Sequence, residues 1–462
     1  MQSGSFSTPM LVRKWRQRPI WLVPMYYAWT SLVFGLILPR LEHAYGTRYA
    51  SYLAGYGLSL SVTSTQALLS AVTSGMMALT AIVFSVAYIT VQFNSIAYSP
   101  RLALMFARDP KLFHSFGIFI ATFLYALITL AWVDRGGSGT VPLLSVLLVG
   151  VLVTISMFLF TRLVRGVSDM QVTNTLHSVG DRGRDVIQEM FNRLEEKGRP
   201  TKRTAPAQDV VPGPVTQSLR YHGKPRAIAE LDAGALVRLA EAADGLIVMD
   251  CAVGDSLVDD SLLLRVHDGK HQIPERELMQ AIDLRRERTF EQDPKYPIRL
   301  LVDIAIKALS AAVNDPTTAV QALDQIEDLL RRLARMELDA GYAYDAKGVL
   351  RLIFPMPSWE DYLRLSFDEI RRYGAGSVQV VRRLRSALAG IEESLTMEAR
   401  ITAVRQYTMQ IDWSVTRSDL DPEDRAVASQ QDRQGLGLSR KPAPPKPVAA
   451  EPLQPVKAAG AT

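Results

Sequence analysis

The sequence predicts a membrane α-helical protein: four transmembrane helices followed by a mainly helical α+β cytosolic domain. Three observations predict it. Four apolar stretches before Arg165 are each long enough to cross a bilayer, the chain turns charged and amphipathic after that point, and basic residues crowd into alternate connections. The 462 residues, formal net charge of +5 and mean hydropathy of +0.06 fit a chain divided between apolar spans and a packed polar domain.

Taken in order, residues 1–19 form a polar N-terminal segment, expected in the cytosol, with Arg13, Lys14, Arg16 and Arg18 near its end. The transmembrane domain is expected over 20–165. Its first span, Pro19 to Leu38, lacks the small-residue cleavage site of a signal peptide and is long enough to stay in the bilayer, with Trp15 and Trp21 suited to an interfacial belt. The second lies in TQALLSAVTSGMMALTAIVFSVAYITVQFNSIAYSPR, Thr65 to Arg101. This stretch runs about thirty residues without a charge, roughly 45 Å as a helix against about 30 Å of hydrocarbon. Gln66, Ser70, Thr73, Ser74, Thr80, Ser85, Thr90 and Gln92 make part of its circumference polar, so that part is expected to face protein or water. Phe113 to Val133 and Val141 to Thr161 are the third and fourth spans, joined by a turn over Asp134 to Gly139.

Between the first two spans, Tyr45, Tyr49, Tyr52 and Tyr56 recur at helical spacing. They make either an aromatic collar at a pore mouth or an amphipathic helix in the headgroup region. Residues 166–197 are expected to form a juxtamembrane helix. Val172, Leu176, Val179, Gly183, Val186 and Met190 alternate steps of four and three, a seam that pairs with copies of itself or packs on the chain's own domain. A Pro-bearing linker over 198–223 follows, then an α+β domain over 224–415, and a disordered tail over 416–462 where apolar periodicity is lost.

Within the 224–415 domain, AIAELDAGALVRLAEAADG reads as a strand and a helix capped by Asp232, and LIVMDCAV and SLLLRVHDGK read as a hairpin around Gly254-Asp255-Ser256. Pro274 to Arg288 reads as a helix, IRLLVDIAIKALS as a second and TAVQALDQIEDLLRRLARM as a third. VLRLIFP reads as a buried strand before three more amphipathic helices. His267 and His271 flank a turn without the further ligand that a metal site needs.

The segments MMALTAIVFSVAYITVQFNSIAYSPR and GIFIATFLYALITL, and later DIAIKALSAAVNDPTTAV, resemble the bacterial predicted membrane proteins grouped as domain of unknown function 2254. The similarity covers most of Trp15 to about Trp413, and Asn314 to Ala319 is its most specific part. The resemblance implies this architecture and no substrate.

Function classes narrow accordingly. No P-loop, dinucleotide fingerprint, zinc-protease motif or nucleophile elbow is present, and no cofactor is expected. The single cysteine, Cys251, rules out an intrachain disulfide and a cysteine-rich metal centre. Basic residues interleave with acids and no reader motif accompanies them, which disfavours nucleic acid, whereas a basic chain suits an anionic lipid face. Two candidate sites remain. Gln66, Ser70, Thr73 and Thr80 lie along one side of the second span and are candidate pore-lining residues in a homo-oligomer, or else ordinary interhelical packing. Arg288, Asp303, Asn314, Asp315 and Thr317 make a candidate polar corner for a ligand or ion, or else a capped helical turn with ion pairs. A pore controlled by the cytosolic domain, a sensory or scaffolding anchor without transport, and an enzyme of unfamiliar type at the corner are the readings these sites allow.

Orientation follows from the basic residues. Four precede the first span, Arg101, Arg108 and Lys111 follow the second, and Arg162 and Arg165 follow the fourth, against Arg40, Arg48 and Arg135 in the opposite connections. Reporter fusions after Tyr56 and Ser138 are expected to report the outside, and fusions after Arg108 and in the Pro-bearing linker the cytosol. A cytosolic signal from the Tyr56 fusion overturns the scheme.

Overall fold

The computed structural model describes residues 22–45, 61–97, 110–135, 137, 139–168, 172–198, 212–338 and 341–437. The chain divides into two compact units after Val179.

The first unit holds α1 (Leu22–Tyr45), α2 (Val62–Ala97), α3 (Pro110–Leu130) and α4 (Leu143–Ser168). Each contains a run long and apolar enough to cross a membrane: Leu22–Glu42, Val62–Ile89, Leu112–Leu130 and Leu143–Arg165. In hydrocarbon a helix satisfies its backbone N–H and C=O groups within one segment, which is why uninterrupted apolar runs of this length become helices. Helix α3 packs against the other three, and half of its span is buried, against 17 to 22% for α1, α2 and α4. Its Phe119 meets Met76 and Val83 of α2, and Tyr125 and Ala126 meet Leu69 of α2 with Val146 and Val149 of α4. At Gly117 a Cβ would lie 2.3 Å from the Tyr27 ring, so glycine is what lets α1 approach α3 there. The Ser31 hydroxyl donates to the Ala121 carbonyl at 2.7 Å across the same pair, and Thr122 and Ser156 hydroxyls meet at 3.1 Å between α3 and α4. The tyrosine series of the first connection, from Tyr49 on, and Arg101 and Arg108 of the second connection lie outside the described residues, whereas Lys111 falls in the first turn of α3.

Helix α5 (Val172–Gly198) covers most of the stretch expected as a juxtamembrane helix. Its seam differs from a surface waiting for a copy. Leu176, Val179 and Val186 are buried in the single chain, and a Cβ at Gly183 would collide with Leu329 and Pro297. From Gly180 onward the seam is closed by the chain itself: Arg184 donates to Asp328 at 2.8 Å, with Gln325 against Gly180.

In the second unit, β1 (Val215–Tyr221), β5 (Ser261–His267), β3 (Leu246–Met249), β8 (Leu350–Ile353) and β7 (Tyr342–Tyr344) form one sheet in that order, antiparallel except for β3 with β8. A second sheet orders β4 (Ser256–Leu257), β2 (Arg226–Leu231) and β6 (Ile282–Arg285). Between β2 and β3 runs α6 (Ala233–Ala242), capped by Asp232 as expected, its carboxylate accepting from the Ala235 N–H at 2.9 Å. The expected hairpin pairs Leu246 with His267 and Met249 with Leu264, and its connection sends β4 to the other sheet.

Three expectations change. The helix read over Pro274 to Arg288 is only α7 (Glu275–Gln280), because Ile282 to Arg285 pairs with β2, and strand pairing overrides local helix preference. Strand β1 falls inside the segment read as a linker, held by pairing with β5 that a proline-rich composition does not disclose. After α8 (Lys295–Ala308), α9 (Pro316–Leu333), α10 (Trp359–Gly374), α11 (Val378–Glu393) and α12 (Glu398–Thr416), a further helix α13 (Pro422–Ala428) packs on α11 in a stretch read as tail, with Ala428 fully buried.

The β7–β8 turn ties sheet to helix through one arginine. Asp345 accepts from the Lys347 and Val349 N–H groups and from Arg351 Nε, each at 2.9 Å, while Arg351 also reaches Asp244 and the Gly245 carbonyl beyond α6. The Val349 N–H, then Arg351 and the Lys347 N–H, hold the Asp345 carboxyl below the ordinary aspartate range against the opposing effect of burial. A depressed carboxyl contributes stability that is full above the unfolded value and is lost as pH falls through the folded one. Asp345→Asn is expected to lower the urea midpoint near neutrality and to flatten its decline below about pH 4. An acid limb identical to the wild type's refutes this role.

Candidate functional site

Helix α2 turns Thr65, Leu69, Met76 and Val83 inward and leaves its polar strip largely uncovered. Gln66 and Ser70 are exposed, and Thr73 and Thr80 are half-buried at the edge of the inward seam. The Thr73 hydroxyl donates to the Leu69 carbonyl and that of Thr80 to the Met76 carbonyl, both at 2.7 Å. Their donors are therefore satisfied within the helix, and each hydroxyl offers only an acceptor to its surroundings. Met77 and Phe84 are exposed on the adjacent face, with Phe84 edge-on to Phe116 at 6.0 Å.

At one end of the same unit stands a cluster that sequence reasoning missed. Glu42, in the last turn of α1, accepts from the Leu144 N–H at 3.0 Å, from the Ser145 N–H at 2.8 Å and from the Ser145 hydroxyl at 2.6 Å. It thus caps the first turn of α4 from another helix, where unpaired N–H groups and the helix dipole both favour a carboxylate. The Arg40 and Arg135 guanidinium groups both stand over the Trp132 ring, at 5.6 Å and 4.0 Å from its centre. Caps are sought among residues just before a helix, and Glu42 is 102 positions away.

The candidate corner is not one constellation. Asp315 caps α9: its carboxylate accepts from the Thr318 N–H at 3.1 Å and the Thr318 hydroxyl at 2.5 Å, with Pro316 in the first turn. Asn314 takes φ of +49°, the left-handed backbone that asparagine tolerates better than most residues, and Asn314 and Thr317 are exposed. Asp303 pairs instead with Arg299 at 2.6 Å, and Arg299 extends to Glu369 at 2.8 Å. Arg288 sits before the far end of α8, on Asp293 at 2.6 Å. The 14 residues of α8, about 21 Å as a helix, separate it from Asn314.

Arg288 belongs to a buried clasp. Asp293 is 2% exposed, and burial raises its carboxyl above the ordinary value although Arg288 and the Lys295 N–H oppose this. Gly254, at φ +90°, leaves room that a Cβ 2.3 Å from the Asp293 oxygen would take. Cys251 is half-buried, and burial followed by Asp255 and Asp250 pushes its thiol up, away from a reactive thiolate. His267 is buried with Nδ1 2.8 Å from the Gly213 carbonyl, and among the described residues no three His, Cys, Asp or Glu side chains converge as metal ligands.

A second missed feature lies between α10 and α12. Arg371, Arg372, Gln410, Trp413, Ser414 and Arg417 line a cleft of about 420 Å³, and Arg372 also borders an adjoining one of about 440 Å³ with Arg299, Ile306, Glu369 and Tyr373. The signal available in the sequence was Trp413 four residues before Arg417, opposite an Arg-Arg-Tyr helix end. Nearby, burial and then Asp368 push the Tyr407 hydroxyl up to about 12, so it stays protonated.

These features define a multi-pass membrane protein: four membrane-length helices with an α+β unit following them in the chain. The chain belongs to the family described as "Predicted membrane protein (DUF2254)", which it matches over residues 17–390. Among similar proteins are an uncharacterized protein of Mycobacterium bovis and one of Mycobacterium tuberculosis, each 25% identical over 438 residues, 91% of this chain and 82% of the relative. Another uncharacterized Mycobacterium tuberculosis protein is 33% identical over 141 residues, 30% of this chain and 27% of the relative. No solved structure matches the chain significantly.

For the corner, Asp315→Ala removes both Thr318 contacts and is expected to cost about 0.5 to 2 kcal/mol, read as a lower melting temperature. Unchanged stability with complete loss of a cellular phenotype refutes the capping role and restores the corner as a ligand site.

Proposed function

We propose that this protein is an oligomeric pore of the cell membrane, with both termini in the cytosol, a path lined by α2 and opening set by the second unit. The observation that carries the reading is the exposed polar strip of α2. Gln66, Ser70 and Ser74, at steps of four on a membrane-length helix, are left uncovered by the other three spans. A carboxamide and two hydroxyls facing lipid are unfavourable, and a copy of the same strip or a water-filled path relieves the cost. Thr73, Thr80 and Ala87 continue that side of the helix, and Met77 and Phe84, one step around, are placed to close it as an apolar constriction. Since the spans hold no ring of charge, selectivity falls to the mouths, and Arg101, Arg108 and Lys111 favour anions.

A second reading, a membrane-anchored sensory or scaffolding protein without transport, is favoured by the threonines. Thr73 and Thr80 donate to their own helix, as hydroxyls in plain helix packing do. The two readings separate experimentally. With Cys251 replaced by serine, cysteines at Thr73, Thr80 and Ala87 are expected to react with a membrane-impermeant thiol reagent, and the protein to carry current in a planar bilayer. No labelling at any of the three together with no current leaves α2 as packing and the anchor as the function.

A further inference from the structure

We propose that the cleft between α10 and α12 is a binding site for a multiply charged phosphoryl anion. Two parallel helices end side by side there, and the Arg371 guanidinium donates to the Ser414 hydroxyl at 2.5 Å across them. Arg371 and Arg372 occupy the last turn of α10, and Arg417 is the cap of α12.

Charge decides whether these arginines are spent on the fold. Arginines at helix C-termini ordinarily complement the helix dipole, each end counting about half a negative charge. Three arginines set against two helix ends and Asp368, which stands 3.9 Å from Arg371, leave about one positive charge over. Arg299 next door differs: it is matched by Asp303 and Glu369. Arg372 and Arg417 form no ion pair among the described residues, and the Arg371 Nε–H is buried there without an acceptor. The cleft lining contains no carboxylate.

The geometry selects the anion. Guanidinium groups offer paired N–H donors whose spacing matches phosphoryl oxygens, and three of them around a volume of about 420 Å³ suit an ion with several charged oxygens better than a single carboxylate. Trp413 is 68% exposed and holds Arg417 over its ring at 4.3 Å, which fixes the guanidinium at the cleft wall and gives the site its own reporter. The α12 wall lies beyond residue 390, outside the stretch matched to the family. The inference is independent of the pore reading, since binding is measured without flux.

The test uses the full chain in nanodiscs of phosphatidylcholine, titrated with inorganic pyrophosphate and followed by calorimetry and tryptophan fluorescence. Saturable binding is expected, weakened about tenfold or more in the Arg372→Ala/Arg417→Ala double variant at an unchanged melting temperature. Trp413→Phe is expected to retain the heat and lose the fluorescence change. Repeating the titration with phosphatidylglycerol in the nanodisc identifies the source of the anion. Weaker pyrophosphate binding in wild type but not in the double variant makes a lipid headgroup the competitor, and equal affinity in both membranes makes the ligand a soluble anion. Absence of saturable binding, or equal affinity in wild type and double variant, overturns the proposal.

Discussion

Apolar helices in hydrocarbon gain little by hiding from the solvent, since the lipid is as apolar as they are, so a bundle must be held by close packing and by a few polar contacts. Helix α3 is where the first unit meets that requirement. It alone among the four gives up half of its span surface, and it takes part in polar contacts between helices: Ser31 to Ala121, Thr122 to Ser156, Tyr27 to His114 at 3.1 Å. The close approach at Gly117 shows the same economy of space. What α3 takes inward, α2 and α4 leave outward, including Leu68, Ile82 and Phe158, and the uncovered strip of α2 exists because α3 contacts only one of its faces.

The second unit is built on water's terms. Its core is a continuous apolar cluster from Leu219 through Ile247 and Leu264 to Leu352 across the larger sheet, and α8 and α9 bury Leu300, Leu301, Ile304, Leu323, Ile326 and Leu330. Two of the arginines that are drawn in are answered by carboxylates. Arg383, largely buried on α11, reaches Asp324 at 2.8 Å and Glu327 at 2.6 Å on α9, and Arg351 binds Asp345 and Asp244. Breaking such a pair on one side is more damaging than the pair is stabilising, since the remaining charge stays buried. Unlike Arg351 and Arg383, Arg372 and Arg417 at the ends of α10 and α12 have no carboxylate partner among the described residues.

Much of this was legible in the sequence. The four spans were, because length without charge admits no other solution in a bilayer, and so were the Asp232 and Asp315 caps, where a short acid precedes an amphipathic run. The strand β6 was not: ERELMQAIDLRRER carries helix-favouring residues throughout, and only the presence of β2 makes Ile282 to Arg285 extended. The candidate corner was half legible. Sequence proximity joined Arg288 and Asp303 to Asn314, Asp315 and Thr317, and the straight course of α8 separates them again. Contacts between distant positions, Glu42 with Ser145 and Arg371 with Ser414, leave no local pattern to read.

The Glu42 cap carries a consequence for how the bundle is made. A ribosome delivers α1 long before α4, and the N–H groups that receive the carboxylate belong to residues 144 and 145. Until those residues emerge, Glu42 keeps its hydration and α1 ends in an unneutralised acid at the membrane boundary. The pairing becomes available only when the fourth helix enters, so the first and last spans are latched in one step at the end of insertion. A chain arrested before Ser145 is left with an acid that has nothing to cap.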